Sequence, residues 1–254
     1  PTLLVADSTT QELLFTTART PKKFTNEPVT EAQLATVRDL VQWGPTMTNA
    51  QPLRVVFART PEARNVVLTH LLPYNQERAG DAPVLAVFCA DHAFERNIER
   101  IFPGAPAVAA MYGNESFRDR VADSQAWMQA GYWIIGLRAV GLDVLPMMGF
   151  DTNGMDAMLE PRQESLFAGS RLRSIMVAAV GHAAPDAYPP RPPRLERHEV
   201  VADHRTRRPP DWPGHLGSGR GTGSVDRASV IGPSDTCRVG GRWRCRRPGG
   251  GSHR

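Results

Sequence analysis

The sequence predicts an α+β fold over residues 1–204, followed by a structureless tail over residues 205–254. Three observations carry this expectation. Segments with helical spacing alternate with short apolar segments of strand length. One of them, APVLAVFCAD (82–91), is almost continuously apolar, the pattern of a strand buried on both faces. Beyond about His204 periodicity stops, and Arg, Gly and Pro dominate. With 254 residues, 41% of them hydrophobic, the chain suffices for one large domain or two small ones.

The elements follow in order. TTQELLFTTA has helical spacing, with Leu13, Leu14 and Phe15 on one side. TEAQLATVRDLVQWG is a stronger helix, with Thr30 as N-cap and Leu34, Val37, Leu40 and Val41 forming an apolar face. RVVFART is a short strand. PEARNVVLTHLL is a helix with Pro61 in its first turn. After the 82–91 strand, Pro and Gly in FPGAPAVAAMYG break any period, which predicts a mobile excursion. RDRVAD is read as a solvated face. DSQAWMQAGYWIIGLRAVG is the most hydrophobic helix, closed by Gly141, with Trp127, Tyr132 and Trp133 packing in the core or at a subunit interface. LDVLPMMGF is strand then turn, MDAMLE a short helix, and RSIMVAAVGH a second buried strand. Four prolines flanking Arg191 predict an extended arm.

Charge and cysteine bound the function. The net charge is +4, but residues 205–254 hold 11 Arg against 3 Asp, a balance of +8. The body is therefore mildly acidic, at −4. A nucleic-acid reading of the basic pI rests on the tail alone, with its Trp212 and Trp243. The tail composition fits a natural disordered segment, and also a GC-rich gene read out of frame; both stay open. Cys89 lies in an apolar run and is read as a small hydrophobe; Cys237 and Cys245 have no zinc-finger spacing, so no metal is expected. No run of 18 apolar residues predicts a membrane span, and PTLLVADSTTQELLF has no signal-peptide pattern. Pro1 is read as the residue left after removal of an initiator Met. The expected location is cytoplasmic, with neither membrane nor nucleic acid as partner.

Two segments have chemical content of their own. ARTPKKF (18–24) places Arg19, Lys22 and Lys23 after a helix; alone it is a solvated basic turn. WGPTMTNAQPLRVVF offers hydroxyls, amides and backbone N–H groups between a helix and a strand, which suits a polar planar heterocycle. A structural turn explains Pro45 and Asn49 equally well. GxGxxG is absent, so nothing points to a Rossmann dinucleotide site. His70, His92, His182 and His198 are scattered and read as structural or surface residues.

In combination these segments resemble the nitroreductase family. ARTPKKF is similar to its ART-x-x-x-F start, WGPTMTNAQPLRVVF to its WGPTSxNxQPxRF, YNQERAGDAPVLAVFCAD to its Asn-x-x-Lys loop and central strand, GLDVLPMMGFD to its GLDxGPMSGFD, and AYPPRPPRLERHEVV to its FPRxPRLxxxEVV arm. The resemblance covers nearly all of 1–204 and is nearest the malonic semialdehyde reductase branch. It implies a central mixed β-sheet flanked by helices, in an intertwined homodimer with FMN between the subunits. It also implies ping-pong hydride transfer from NADH or NADPH to a small acceptor, such as a nitroaromatic, a quinone or an aldehyde. No catalytic side chain is then required.

Residue by residue, the resemblance assigns Arg19, Thr20, Pro21 and Lys23 to the first flavin segment. Pro45, Thr46, Met47 and Asn49 fall in the segment given by the second subunit. Asn75 and Arg78 face the flavin's polar edge, Pro146, Met147, Met148 and Gly149 form the turn beside the reactive ring, and Arg191 and Arg194 lie near the phosphate. Arginine suits phosphate through its two-pronged geometry. Lys23 and Arg78 beside the flavin's anionic edge favour hydride acceptance. The chain departs from the branch at Pro21–Lys22, where His-Asn is usual, at Met47, where a small residue is usual, and at Met148, where Ser or an acid is usual. These departures bear on the acceptor. They also suggest a flavin-binding member without turnover as an alternative, beside that of a nucleic-acid-associated dimer.

Overall fold

Four strands order the computed structural model, which describes residues 5–203: β1 (Leu53–Ala58), β2 (Val84–Asp91), β3 (Asp143–Met147) and β4 (Leu172–Gly181). They lie in the order β1-β2-β4-β3, and every pair is antiparallel. The α+β class expected from the sequence is the class observed. The expected mixed sheet is antiparallel throughout the described residues, for a simple reason. Between β1 and β2, α3 (Pro61–Thr69) and α4 (Pro73–Ala79) return the chain to the end of the sheet it left, so Ala58 faces Leu85. β2 then runs back along β1.

All eight residues of β2 are buried, as the apolar run predicted. Alternate residues enter two cores. Val84, Ala86, Phe88 and Ala90 face α2 (Glu31–Val41) and α7 (Glu115–Ala139), joining Leu34, Val37, Ala126 and Leu137. Leu85, Val87 and Cys89 face α3, α4 and α8 (Thr152–Leu166), joining Val67, Ala79, Met155 and Leu159. Each such large side chain contributes about 1.5–3 kcal/mol of burial. Cys89 is a packing residue, and burial pushes its thiol well above the ordinary value.

Local signals set the helix ends. Thr30 caps α2 in a reciprocal box with Gln33. Thr60 caps α3 with Pro61 behind it. Gly141, at φ +79°, closes α7: its N–H reaches Arg138 O, and the Leu142 N–H reaches Leu137 O. Along α2, Leu34 and Val37 are buried, but Leu40 is 52% exposed and outside the core face expected for it. α7 approaches closely there. A Cβ on Gly136 would stand 2.5 Å from Val41 Cγ1, so the two helices meet around Val37 and Val41 and turn Leu40 outward.

Residues 92–120 correct the expectation of a mobile excursion. A 3-10 turn (Phe94–Asn97), α5 (Ile98–Ile101) and α6 (Pro106–Met111) lead into α7, which starts well before the hydrophobic stretch. Pro106 opens α6, and Gly104 takes φ +77° before it, so these residues punctuate helices rather than abolish them. Fully buried Tyr112 anchors the segment, edge-on to Phe94 at 4.9 Å and stacked on Phe117 at 5.9 Å. RDRVAD is only half a solvated face: Val121 and Ala122 are buried, and Arg118 pairs with Glu95.

The first helix, α1 (Ser8–Gln11), continues as a π-helical turn to Thr16. The described chain divides between Pro193 and Arg194, and the second part holds the short helix α9 (Arg197–Val200). The tail expected over 205–254 lies outside the described residues. No helix among the described residues is long and apolar enough to cross a membrane.

Candidate flavin site

The segment 16–25 lies along the arm 182–191, two stretches far apart in sequence. Phe24 bridges Ala183, the Thr25 N–H donates to His182 O at 2.8 Å, and the Lys22 N–H donates to Ala187 O at 2.9 Å. Side chains reinforce the match. Arg191 donates to Thr16 O and Ala18 O at 2.9 and 3.0 Å. The Arg19 guanidinium sits 5.5 Å from the ring centre of Tyr188, and Arg138 donates to Arg19 O. Arg19 and Arg191 therefore belong to one locus. Arg194 falls beyond the division of the chain.

Lys23 is less available than its residue type suggested. Its ammonium bonds Asp186 Oδ2 at 2.5 Å, and both groups are surface-exposed. That hydrogen bond, the charge of Asp186 and the more distant Asp81 raise the Lys23 amine above its ordinary value. The same bond holds the Asp186 carboxyl below its own. Thr20 is exposed and Pro21 is buried.

Phe24 carries this segment into the α3–α4–α8 core, which also holds Ala79 of α4 and Leu145 and Met147 of β3. The end of β3 and the start of α4 are joined directly. Gly149 O accepts the Leu72 N–H at 3.0 Å and Asn75 Nδ2 at 2.9 Å. Gly149 is required by proximity: a Cβ there would lie 2.6 Å from Asn75 Nδ2. Arg78, one turn along α4, stacks on Tyr74 at 4.9 Å, and its buried Nε has no hydrogen-bond partner among the described residues. Thus Asn75, Arg78 and the turn Pro146–Gly149 form a second locus. Within it Met147 is buried, while Pro146 and Met148 are exposed.

The segment 45–51 is held by the opposite layer. Tyr132 of α7 donates to Pro45 O at 3.1 Å, Gln125 of α7 accepts the Met47 N–H at 2.7 Å, and Asn49 Nδ2 donates to Ile101 O at 2.9 Å. Thr48, Asn49 and Gln51 are the three non-glycine residues of positive φ among the described residues, at 49°, 55° and 45°. Each costs about 1–2 kcal/mol in backbone strain, which its surroundings must offset. Within one chain, then, Pro45, Thr46, Met47 and Asn49 sit on the α7 side of the sheet, and Asn75, Arg78 and the 146–149 turn on the other. Sequence reasoning missed Gln125 and Tyr112 and read Tyr132 only as core or interface packing; their contacts with this loop span 64 or more residues and leave no local pattern.

A separate cleft of about 640 Å³ opens beside the edge strand β1. Arg38, Arg54, Arg59, Arg96 and Arg100 line it, over a floor including Trp133. None of the site residues expected from the sequence lines it. Buried Asp91 organises two of its arginines, accepting from Arg54 at 2.8 Å and pairing with Arg96 at 2.9 Å.

This fold is shared with solved structures. A nitroreductase of Exiguobacterium sibiricum in complex with FMN matches with a TM-score of 0.65 at 16% identity, over 78% of this chain and 98% of that one. A Staphylococcus epidermidis protein described as an NAD(P)H:FMN oxidoreductase also gives 0.65, at 17% identity, over 79% and 98%. In sequence, a Streptomyces coelicolor protein named as an NADH dehydrogenase/NAD(P)H nitroreductase is 39% identical over 199 residues, covering 78% of this chain and 97% of the relative. A Caulobacter protein of the same name is 34% identical over 195 residues, covering 77% and 96%. The model of the family described as "Nitroreductase family" matches residues 16–185. The chain belongs to the nitroreductase family.

Proposed function

We propose that this chain is an FMN-dependent NAD(P)H oxidoreductase that acts as a homodimer on a small acceptor: a nitroaromatic, a quinone, or an aldehyde such as malonic semialdehyde. The observation that carries the reading is the joining of Asn75, Arg78 and the 146–149 turn into one locus. Phe24 links that locus to the segment bearing Arg19. The residues present fit the cofactor: the buried Nε of Arg78, without a hydrogen-bond partner among the described residues, is a donor, and Gly149 lets the Asn75 amide close onto the turn. FMN, when bound, supplies hydride transfer between the nicotinamide and the acceptor.

The chain's own groups bind and orient. Arg19 and Arg191 would hold the phosphate by charge and planar donor geometry. Thr20 and Pro21 would belong to the first flavin segment, and Asn75, Arg78 and Lys23 would lie toward the polar edge of the ring, where the two cations favour its reduced form electrostatically. Pro146, Met147, Met148 and Gly149 present backbone to the ring. Pro45, Thr46, Met47 and Asn49 come from the second copy of the chain. Their place on the opposite layer supports this assignment. So do the edge of β1, unpaired among the described residues, and the exposed Leu40, Trp43, Trp127 and Met128, at 52, 82, 37 and 37%.

Purified protein mixed with FMN and freed of excess should stay yellow and bleach anaerobically with NADH or NADPH; protein that stays colourless overturns the reading. Gly149→Ala pushes the Asn75 amide away. It should weaken FMN binding about tenfold or more, the scale of one hydrogen bond to a charged group. Fluorescence titration measures this.

A further inference from the structure

We propose that Tyr112 and Gln125 are positioning residues that clamp the Met47 peptide from both sides and so set the size of acceptor admitted; the second half of this rests on the reading of residues 45–49 as part of the flavin site. The Met47 N–H donates to Gln125 Oε1 at 2.7 Å. The Met47 carbonyl accepts from the Thr48 hydroxyl, also at 2.7 Å. A hydroxyl has one proton to give, and that of Thr48 is committed to Met47 O. Tyr112 is therefore the donor in the 2.5 Å contact between its hydroxyl and Thr48 Oγ1. The relay runs from Tyr112 to Thr48 to the Met47 carbonyl.

Both anchors are fixed. Tyr112 is fully buried between Phe94 and Phe117, and Gln125 belongs to the 25-residue helix α7. The clamped loop needs holding. Thr48 is β-branched with φ +49°, a conformation that such a residue adopts only when its surroundings impose it. From this fixed peptide the Met47 side chain projects, 39% exposed. A thioether chain with three rotatable bonds adapts its shape. With its Cα pinned, that adaptation is confined to the space the side chain sweeps, and a bulky acceptor meets it there.

The test has two parts. In the flavin-free full chain, hydrogen exchange of residues 45–51 should quicken in Tyr112→Phe and Gln125→Met, while exchange in β2 and the melting temperature stay near wild type. In the FMN-loaded chain, preference for a three-carbon aldehyde over a two-ring quinone should fall about tenfold in both variants, the scale of one methylene of pocket space. The change should appear in the acceptor KM and leave flavin reduction by NADH unaltered. Thr48→Ser, which keeps the hydroxyl, should behave as wild type, and Thr48→Val combined with Tyr112→Phe should be no worse than either alone. Unchanged exchange at 45–51 overturns the clamp. Quickened exchange with an unchanged acceptor ratio overturns its role in specificity. A wild type that holds no FMN overturns the site reading and with it the specificity role, while exchange still decides the clamp.

Discussion

Lys23 and Asp186 meet across 163 positions of sequence, and their contact fastens the arm to the first segment. Two pKa displacements give it a pH window. The Asp186 carboxyl is lowered, so its contribution is present above the unfolded carboxylate value and lost as pH falls through the lower folded one. The Lys23 amine is raised, so its contribution is complete below the unfolded amine value and lost as pH rises through the higher folded one. Carbon NMR of the Asp186 carboxyl should show a midpoint below that of an exposed aspartate, and Lys23→Met should return it to the ordinary value. Tyr188 behaves differently. Burial first, then its 2.8 Å bond to Asp143, push its phenol from 10.0 up to about 12. Its contribution is complete below pH 10 and lost between 10 and about 12. Absorbance of the phenolate should show a late-ionising component that Tyr188→Phe removes. None of this was legible in the sequence, where Lys23 was a cation in a basic turn and, by resemblance, a residue of the flavin segment. Its partner is set by the arm's register, which no local pattern encodes.

At the scale of elements, the legible parts were those whose signals are local. Thr30 with Gln33 announces the start of α2, and the apolar run 82–91 announces β2. Where a tertiary contact decides, the sequence misled. Leu40 fits the apolar spacing of α2, yet faces outward because Gly136 brings α7 against Val37 and Val41. FPGAPAVAAMYG looked broken, yet its Tyr112 is among the most deeply buried residues. These two junctions should respond differently to mutation. Thr30→Ala removes the capping box and should cost about 0.5–2 kcal/mol. Gly136→Ala puts a Cβ 2.5 Å from Val41 Cγ1 and 3.1 Å from Val37 Cγ1, so the two helices must part. It should cost about 1–3 kcal/mol despite the better helix propensity of alanine. Urea unfolding of both variants against wild type tests the order.

For the whole molecule, the class of fold and the family followed from motif order, because each motif sits at an end of a strand or helix that the sheet brings into place. The resemblance assigned residues 45–49 to a second subunit and implied nothing about layers; within one chain, α7 holds 45–51, while α4 and β3 hold 75–78 and 146–149. The pairing of β2 with β4 has one more consequence, for synthesis. β2 is buried along its whole length, and β4, the partner on its inner edge, ends only at Gly181. Roughly 80 residues separate the two strands, so at ~5–20 residues per second a nascent chain carries that edge uncovered for roughly 4–16 s. Such an edge is adhesive. A chain stopped at Ser170 should therefore emerge insoluble or chaperone-bound, whereas one extended past Gly181 should be released soluble. Pulse-labelled synthesis of the two lengths would measure the interval during which this enzyme depends on the cell to keep it apart from its own copies.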